Sequence, residues 1–245
     1  MKTAVIINGA KGEMGSMACQ TIASHPDFEV VAELGRQDNL VSVIKEKNAK
    51  IVIDLTNAGC AYENTLTIIN NNAHPVIGTT GMSSEEINKL QQISLEKQLG
   101  GIIAPNFSIG AILMMRFAEQ ASRYFPEAEI IETHHQQKLD APSGTALKTA
   151  EMMAKARVKA KNNLPIKEIL DHPRGAEYKN INIHAIRLPG FVANQQVIFG
   201  STGESLSIAH NCIDRSSFMP GIVLACQSVL NLKSLCYGLE NILDP

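Results

Sequence analysis

The densest group of chemically useful side chains lies in the segment ETHHQQKLDAPSGT, residues 132–145. His134 and His135 are adjacent, Lys138 follows, and a proline precedes the Ser-Gly-Thr turn at 143–145. Histidine is the side chain best suited to deliver a proton near neutral pH, and lysine can hold a carboxylate or donate a proton. The turn predicts a helix start whose free N–H groups and hydroxyls form a cradle for an anion. The segment therefore predicts a site for a small substrate that carries carboxylates.

Other interpretations of this segment stay open or are disfavoured. It also fits a capped helix after a polar loop, in which each histidine meets only local partners. A metal site is disfavoured because adjacent histidines on an extended chain point to opposite sides and no third ligand follows at a familiar spacing. A nucleophilic role for Ser143 is disfavoured because the residue does not stand in a G-x-S-x-G turn.

A second candidate site is the glycine-rich turn at residues 9–15, GAKGEMG. Glycine allows a tight turn and a close approach to a pyrophosphate, and a following helix presents N–H groups to it. Gly9, Gly12 and Gly15 are spaced G-x-x-G-x-x-G rather than G-x-G-x-x-G, so an ordinary strand-to-helix turn is the alternative. The position after the first predicted strand, with at least four strand–helix steps following, favours a dinucleotide site.

Cofactor choice is made at the end of the second predicted strand, where Gly35 and Arg36 stand. An arginine there accommodates the 2′-phosphate of NADP, whereas an acid binds the ribose hydroxyl of NAD. Arg36 therefore favours NADPH, although a solvated loop arginine is an equally good interpretation. The turns at 78–81 and 104–108 end two later strands, and they either flank a nicotinamide ring or are plain loops.

The elements that must position these groups alternate in the first part of the chain. Strands are predicted there at 3–9, 28–34, 50–56, 75–81 and 100–106. Helices are predicted at 13–25, 40–48, 62–72 and 83–98, the last one capped by Ser83. This alternation is typical of an α/β fold with a Rossmann-type, doubly wound parallel sheet.

The pattern changes beyond residue 107, which is the best domain boundary. Helices are predicted at 110–125 and 143–161, a loop at 162–180 and a mainly helical end at 216–232. Strands are predicted at 127–135, 181–188, 193–200 and 204–211. The last three strands are predicted to be antiparallel because their connections are too short for crossovers.

Composition excludes several classes of function. The chain has 245 residues, 44% of them hydrophobic but only 4% aromatic, which favours an aliphatic core. A net charge of −2 does not indicate the basic surface that binds nucleic acid, and no apolar run approaches the roughly 20 residues that cross a membrane. Five cysteines without a CxxC pair, and a start without a signal peptide, predict reduced thiols, no zinc site and a cytoplasmic protein.

The segment ETHHQQKLDAPSGTA resembles the E-x-H-H-x-x-K-x-D-A-P-S-G-T-A signature of the bacterial 4-hydroxy-tetrahydrodipicolinate (dihydrodipicolinate) reductase family. Further matching pieces occur in the family's order and spacing, so that the resemblance spans the whole chain. They are GAKGEMG at 9–15, DLT at 54–56, VIGTTG at 76–81, APNFSIG at 104–110 and RSSFMPG at 215–221.

The resemblance implies two domains and a reaction. Residues 1–107 and 216–245 match a dinucleotide-binding domain closed by the C-terminal helix, and residues 108–215 match a smaller α+β domain with a mixed sheet that binds substrate and forms a homotetramer. The family uses NADPH or NADH to reduce a cyclic dicarboxylate in the diaminopimelate route to lysine. Many members carry an acid at the position of Gly35, so its absence here favours NADPH.

The resemblance also assigns roles to individual residues. His134 matches the proton donor, and Lys138 matches a second proton-donating or carboxylate-holding group. The substrate pocket is matched by His135, Ser143, Gly144 and Thr145. Cofactor-contacting positions are matched by Gly9, Lys11, Gly12, Glu13, Met14, Gly15, Arg36, Gly78, Thr79, Thr80, Ala104, Pro105, Asn106 and Phe107.

Two other functions remain as alternatives at this level. One is a different two-domain NAD(P)-dependent dehydrogenase, such as aspartate dehydrogenase, which should lack the H-H-x-x-K and P-S-G-T cluster. The other is a non-catalytic dinucleotide sensor, which needs no proton donor beside a carboxylate cradle.

Overall fold

The chain divides into two compact units, each with its own sheet. The computed structural model describes residues 1–158, 167 and 169–243. Unit 1 comprises Met1–Ile109 and Ser216–Pro245, and unit 2 comprises Gly110–Arg215.

The strands and helices follow the predicted order closely. The strands are β1 (Thr3–Asn8), β2 (Phe28–Leu34), β3 (Ile51–Asp54), β4 (His74–Ile77), β5 (Gly101–Ile103), β6 (Glu127–His134), β7 (Ala176–Tyr178), β8 (Ile181–Arg187), β9 (Ala193–Ser201), β10 (Glu204–Cys212) and β11 (Leu235–Tyr237). The helices are α1 (Glu13–Ser24), α2 (Leu40–Lys47), α3 (Ala61–Asn70), α4 (Ser84–Glu96), α5 (Ile109–Ala121), α6 (Gly144–Ala156) and α7 (Met219–Val229).

Unit 1 is a parallel sheet with helices on both faces, and this confirms the predicted doubly wound fold. Its strand order is β11-β5-β4-β3-β1-β2, and every pairing is parallel. Helices α1 and α7 pack together on one face, and α2, α3 and α4 pack in sequence on the other. From β1 the chain crosses to β2 on one side, and from β2 it crosses back past β1 to β3 on the other side. The carboxyl ends of β1 and β3 therefore form the switch point where ligands bind in such sheets.

Local sequence explains why these elements form where they do. Residues 5–8 of β1, VIIN, and all of β3, IVID, are buried on both faces, as parallel strands require. Helix α4 begins with a complete capping box, in which the Ser83 hydroxyl accepts from the Glu86 N–H and the Glu86 carboxylate accepts from the Ser83 N–H.

Strand β11 was not predicted from the sequence. It adds a sixth strand beside β5, with Leu235 opposite Gly101. A run of three residues is too short to show a strand periodicity. These residues form a strand because the backbone edge of β5 is open to pair with them.

Unit 2 is a mixed sheet, as predicted, in the order β10-β9-β6-β8-β7. Strand β6 pairs parallel with β8 and antiparallel with β9, and the other pairs are antiparallel. Strands β8, β9 and β10 alternate in direction, as predicted, but β8 and β9 are not hydrogen-bonded neighbours, because β6 lies between them. The crossover through α6 places β8 beside β6, and the short connection at 188–192 then passes the end of β6 to its other side.

Two further predictions for unit 2 need correction. The predicted loop at 162–180 contains the strand β7, and residues 159–166 and 168 lie outside the described residues. The helix predicted at 143–161 ends at Ala156, and Arg157 is already extended. The reason is tertiary: the Arg157 guanidinium donates to the Asn180 carbonyl at 3.2 Å, although the sequence there favours helix.

Candidate functional site

The glycine turn of unit 1 depends on two of its three glycines. Gly9 has a φ of +87°, and a Cβ there would lie 2.6 Å from the Leu55 carbonyl oxygen. A Cβ on Gly15 would lie 2.1 Å from the Gly9 carbonyl oxygen, whereas one on Gly12 would keep 3.3 Å. Gly9 and Gly15 therefore let the turn close tightly beneath the start of α1.

Helix α1 begins without a side-chain cap at Gly12, in contrast to α4 and α6, which Ser83 and Ser143 cap. The N–H groups of its first turn thus face the switch-point edge without a hydroxyl or carboxylate bonded to them from the cap position. This arrangement suits the pyrophosphate of a dinucleotide, because the helix dipole adds positive potential there.

A buried aspartate ties together the loops at this edge. Asp54, at the end of β3, is fully buried. Its Oδ1 accepts from the Thr56 N–H at 3.2 Å, the Thr56 hydroxyl at 2.6 Å and the Thr79 hydroxyl at 3.0 Å. Its Oδ2 accepts from the side-chain amides of Asn8 and Asn64, both at 2.8 Å. The ends of β1, β3 and β4 are therefore held by one carboxylate.

The two later turns predicted to bind cofactor contact each other. A Cβ on Gly78 would lie 2.9 Å from the ring of Phe107 and 2.6 Å from the Leu55 side chain. Phe107 is buried, so its ring packs under Gly78, while the Asn106 side chain accepts from the Ser108 N–H at 2.8 Å. Ala104 is buried and Pro105 is exposed at the same end of the sheet.

Thr79, Thr80 and Pro105 line a shallow depression together with Tyr237 of β11. Burial and the nearby Glu240 raise the pKa of Tyr237. Sequence reasoning missed Tyr237 because it missed the strand that carries it.

Two cationic residues belong to the region of the loop after β2. Arg36 is exposed, and Lys11 from the glycine turn lies against the same loop, with its Cδ and Cε 3.6 Å from the position of a Cβ on Gly35. Asp38 accepts from the Gly35 N–H at 2.7 Å and fixes the loop. Glu13 and Met14 of the turn are exposed and half-buried, respectively.

Unit 2 holds the histidine predicted to donate a proton at the end of β6. The Nδ1 of His134 lies 2.5 Å from Oε2 of Glu132, which is fully buried two residues earlier on the same strand face. Arg187, opposite His134 on β8, donates to both Glu132 oxygens at 2.8 Å. The Ser143 N–H donates to Oε1 at 3.1 Å.

The charge state of Glu132 follows from these contacts. Burial alone would raise the pKa of Glu132, but the hydrogen bonds and charges of His134 and Arg187 outweigh it and hold that pKa below its ordinary value. The carboxylate is therefore ionised near neutral pH and accepts the proton on His134 Nδ1. The other ring nitrogen, Nε2, is left as the atom that can transfer a proton.

Lys138 forms an ion pair in this structure. Its Nζ donates to the two Asp140 oxygens at 2.7 and 2.8 Å. Hydrogen bonding from Lys138 lowers the pKa of the largely exposed Asp140. A substrate carboxylate must therefore compete with Asp140 for this cation.

The Ser143 turn has the form of an anion site, and its serine also caps α6. Ser143 is buried, and its hydroxyl accepts from the Ala146 N–H at 3.2 Å as the cap of α6. Gly144 is exposed and has no heavy atom within 4 Å of a Cβ position. Within the described part of the chain, the backbone N–H groups of Gly144 and Thr145 have no acceptor. These two residues present the exposed side of the turn, and the buried Ser143 hydroxyl keeps its own O–H as a donor.

His135 follows His134 directly after the end of β6. Its Nδ1 is buried and has no hydrogen-bond partner among the residues that the structure describes. An unpartnered polar atom next to the predicted proton donor is compatible with the predicted role of His135 in the substrate pocket.

Glu132, Arg187 and Asp54 were missed as site residues. A signal existed for Glu132: Ala128, Ile130 and Glu132 share the inward face of β6, so an acid stands where the alternation demands an apolar residue. No such signal exists for Arg187, because only the parallel register of β6 and β8 brings it opposite His134.

Other chemistry finds little support. Across residues 1–158, 167 and 169–243, no group of three histidine, cysteine or acidic side chains is placed to hold a metal ion. All five cysteines are free thiols. No helix within those ranges combines the length and apolar character needed to span a bilayer.

Unit 1 has an uncapped helix after a glycine turn at the switch point of a parallel sheet. Unit 2 has a histidine–carboxylate pair beside an anion turn. Together these features define a two-unit dinucleotide-dependent oxidoreductase. Two family models match: "Dihydrodipicolinate reductase, N-terminus" over residues 3–107 and "Dihydrodipicolinate reductase, C-terminus" over residues 110–243. The chain belongs to the dihydrodipicolinate reductase family. Its activity is that of a reductase in the diaminopimelate route of lysine biosynthesis, in a family that uses NAD(P)H.

Individual relatives are similar over their full length. The chain is 63% identical over 243 residues to the 4-hydroxy-tetrahydrodipicolinate reductase of Legionella pneumophila strain Lens, covering 99% of this chain and 100% of the relative. It is 49% identical over 239 residues to that of Coxiella burnetii strain Dugway 5J108-111, covering 98% of each. Among solved structures, dipicolinate-bound dihydrodipicolinate reductase from Paenisporosarcina sp. TG-14 matches with a TM-score of 0.92 and 42% identity, covering 99% of this chain and 100% of that one.

Proposed function

We propose that the chain reduces 4-hydroxy-tetrahydrodipicolinate to tetrahydrodipicolinate with NADPH in preference to NADH, and that His134 is the proton donor. The observation that carries the second part is the His134 Nδ1–Glu132 contact of 2.5 Å, which leaves Nε2 for proton transfer. The bound dipicolinate of the Paenisporosarcina relative, a cyclic dicarboxylate, supports the substrate class.

Unit 1 is proposed to hold the dinucleotide. The fit rests on the tight turn at Gly9 and Gly15, where a Cβ would overlap backbone atoms, and on the uncapped start of α1. Arg36 and Lys11 would hold a 2′-phosphate, and the turns that contain Gly78 and Phe107 would meet the nicotinamide end. When bound, NAD(P)H supplies the hydride.

Unit 2 is proposed to hold the acid substrate and to supply the proton. Gly144 and Thr145 would bind one carboxylate through their backbone N–H groups, and Lys138 would bind a carboxylate after exchange with Asp140. After loss of water, hydride addition to the conjugated ring leaves an enamine, and His134 Nε2 delivers the proton that completes the reduction. His135 forms a wall of the same pocket.

We further propose a cytoplasmic homotetramer assembled through unit 2. One face of its sheet is covered, since the Gln195 amide in β9 donates to Thr149 of α6 and contacts the sulfur of Met114 in α5. The opposite face carries Ile131 and Ile198, both half-buried, and a second copy of the chain would cover them. Native mass spectrometry tests this proposal, and a monomer would contradict it.

The test of the activity is a coupled assay in which dihydrodipicolinate synthase supplies the substrate and cofactor absorbance is followed with NADPH and with NADH. Failure to oxidise either cofactor would refute the proposed function. His134→Ala should lower kcat by roughly 10²- to 10⁴-fold, the usual contribution of a general acid, with cofactor affinity unchanged. Lys138→Ala should lower kcat and raise KM for the substrate, because it removes charge from a carboxylate site.

A further inference from the structure

We propose that Glu132 is a positioning residue of the reaction, which fixes the imidazole of His134 and couples it to the carboxylate-binding turn at the start of α6. This inference rests on the proposed role of His134 as proton donor. It adds a residue that the sequence reasoning did not assign, together with Arg187 as the cation that anchors it.

The contacts of the Glu132 carboxylate leave it one orientation. Each oxygen receives two donors: Oε2 receives His134 Nδ1 and one Arg187 nitrogen, and Oε1 receives the Ser143 N–H and the other Arg187 nitrogen. Arg187 also donates to the backbone carbonyl of Asp140 at 2.7 Å, so it holds the end of the loop between His134 and Ser143. One carboxylate therefore sets the position of both the imidazole and the helix start.

A purely structural role accounts poorly for this arrangement. The Glu132 position lies on the inward face of β6 after Ala128 and Ile130, where an apolar side chain would pack without desolvating a charge. A buried ion pair generally gains little stability over well-packed apolar residues. The donors that Glu132 binds, besides Arg187, belong to the proposed proton donor and to the proposed carboxylate turn.

The charges suit the proton-transfer step. Before transfer, Glu132, Arg187 and the His134 imidazolium together carry one positive charge. During transfer the Nε2–H bond breaks, a C–H bond forms on the substrate, and the N–H electron pair stays on Nε2. Nδ1–H remains bonded to Glu132 throughout, so the cluster ends neutral and the ring does not reorient.

The same strand offers a matched control. Glu129 lies on the opposite face of β6, and its Oε2 accepts from His184 Nε2 at 2.8 Å while its Oε1 pairs with Arg174. This second Glu–His–Arg cluster is half-exposed and lies on the other face from Glu132, which is the face that the proposed tetramer would cover, so the variants must be compared in the same oligomeric state. Glu129→Gln therefore makes the same chemical change on the same strand without touching the proposed proton donor.

The test compares Glu132→Gln, Glu129→Gln and the wild type at equal oligomeric mass. Glu132→Gln should lower kcat roughly 10- to 100-fold, at most the lower end of a general acid's contribution of roughly 10²- to 10⁴-fold, because the amide still bonds to the ring but no longer stabilises the imidazolium. The KM for the substrate and the Kd for NADPH, measured by fluorescence, should stay within about threefold of the wild-type values. The pH above which kcat declines should be lower than in the wild type. Glu129→Gln should stay within about twofold of wild type in kcat.

Nuclear magnetic resonance of the wild type adds a measurement that does not depend on a variant. Nitrogen-15 spectra should show His134 protonated on Nδ1, with its proton shifted downfield by the carboxylate. If Glu132→Gln does not fold, the wild-type spectrum tests the role of Glu132 by itself, and an unprotonated His134 Nδ1 would overturn the proposal.

The outcomes separate this inference from the proposed function. A fully active Glu132→Gln beside an inactive His134→Ala would overturn the role of Glu132 alone. An active His134→Ala would overturn the proposed proton donor and this inference together. Equal losses of kcat in Glu132→Gln and Glu129→Gln would reduce Glu132 to a structural residue and also overturn the inference.

Discussion

Replacing Gly35 with glutamate should lower the ratio of kcat/KM for NADPH to kcat/KM for NADH. A Cβ at this position would lie 3.6 Å from the Lys11 stem and 3.7 Å from the Asp38 carboxylate, which are ordinary contacts. The backbone of Gly35 is not in the left-handed region, so a side chain adds no strain. The substitution therefore changes charge in the loop that carries Arg36 while leaving its conformation intact.

The magnitude follows from the exposure of this loop. A unit charge about 4 Å from another interacts by about 1 kcal/mol in bulk water and about 4 kcal/mol near a protein surface. Because Lys11 and Arg36 are exposed, we expect about 1–2 kcal/mol of lost NADPH binding. A hydrogen bond from a ribose hydroxyl to the new carboxylate should return about 0.5–1 kcal/mol to NADH. The ratio of the two kcat/KM values should therefore change by roughly 10- to 100-fold.

The assay measures kcat/KM for both cofactors at saturating substrate, at low and at high salt. Gly35→Gln is the control, because it has the same size without the charge and should alter the ratio by less than about threefold. The effect of glutamate should shrink as ionic strength rises. An unchanged ratio, or equal shifts with glutamine and glutamate, would refute the electrostatic account of the loop.

Three further substitutions or conditions test other parts of the structure. Gly15→Ala places a Cβ 2.1 Å from the Gly9 carbonyl oxygen and should lower the free energy of unfolding by about 3 kcal/mol, which corresponds to a fall in Tm of roughly 6–12 °C. Gly12→Ala, whose Cβ would lie 3.3 Å from the same oxygen, should keep a nearly unchanged Tm. Equal Tm values for the two variants would show that the turn is not tight. Gly144→Ala has open space around it, so Tm should be unchanged, but the methyl group should raise KM for the substrate roughly 10-fold, and an unaltered KM would move the carboxylate site elsewhere. The pKa of Glu132 is lower in the folded chain than its ordinary value of 4.5, so the stability it contributes is present above that pH and is lost as pH falls through the folded pKa. The Tm difference between wild type and Glu132→Gln should therefore shrink on acidification below pH 4.5, and a constant difference would contradict the assigned shift.

Strong local signals made much of unit 1 predictable. Strand β2 matches its prediction at both ends, and Ser83 caps α4 as expected, because these features depend on apolar periodicity and on a hydroxyl next to free N–H groups. The failures have the opposite cause. Strand β11 and the separation of β8 from β9 depend on which sheet edges are open, and local sequence carries no record of that.

For this protein, the sequence alone determined the chemical inventory: a glycine turn before a helix, a histidine pair, a lysine and a serine-capped helix start, on which the proposed cofactor and carboxylate sites rest. Residue type and short spacing suffice for such features because the groups act through their own backbone or side chain. The tertiary structure alone decided which groups work together. It placed Arg187 opposite His134, gave the Glu132 carboxylate four donors, and joined the loops of unit 1 through Asp54. Buried charges need partners from distant strands, and only the register and burial of the folded sheets supply them.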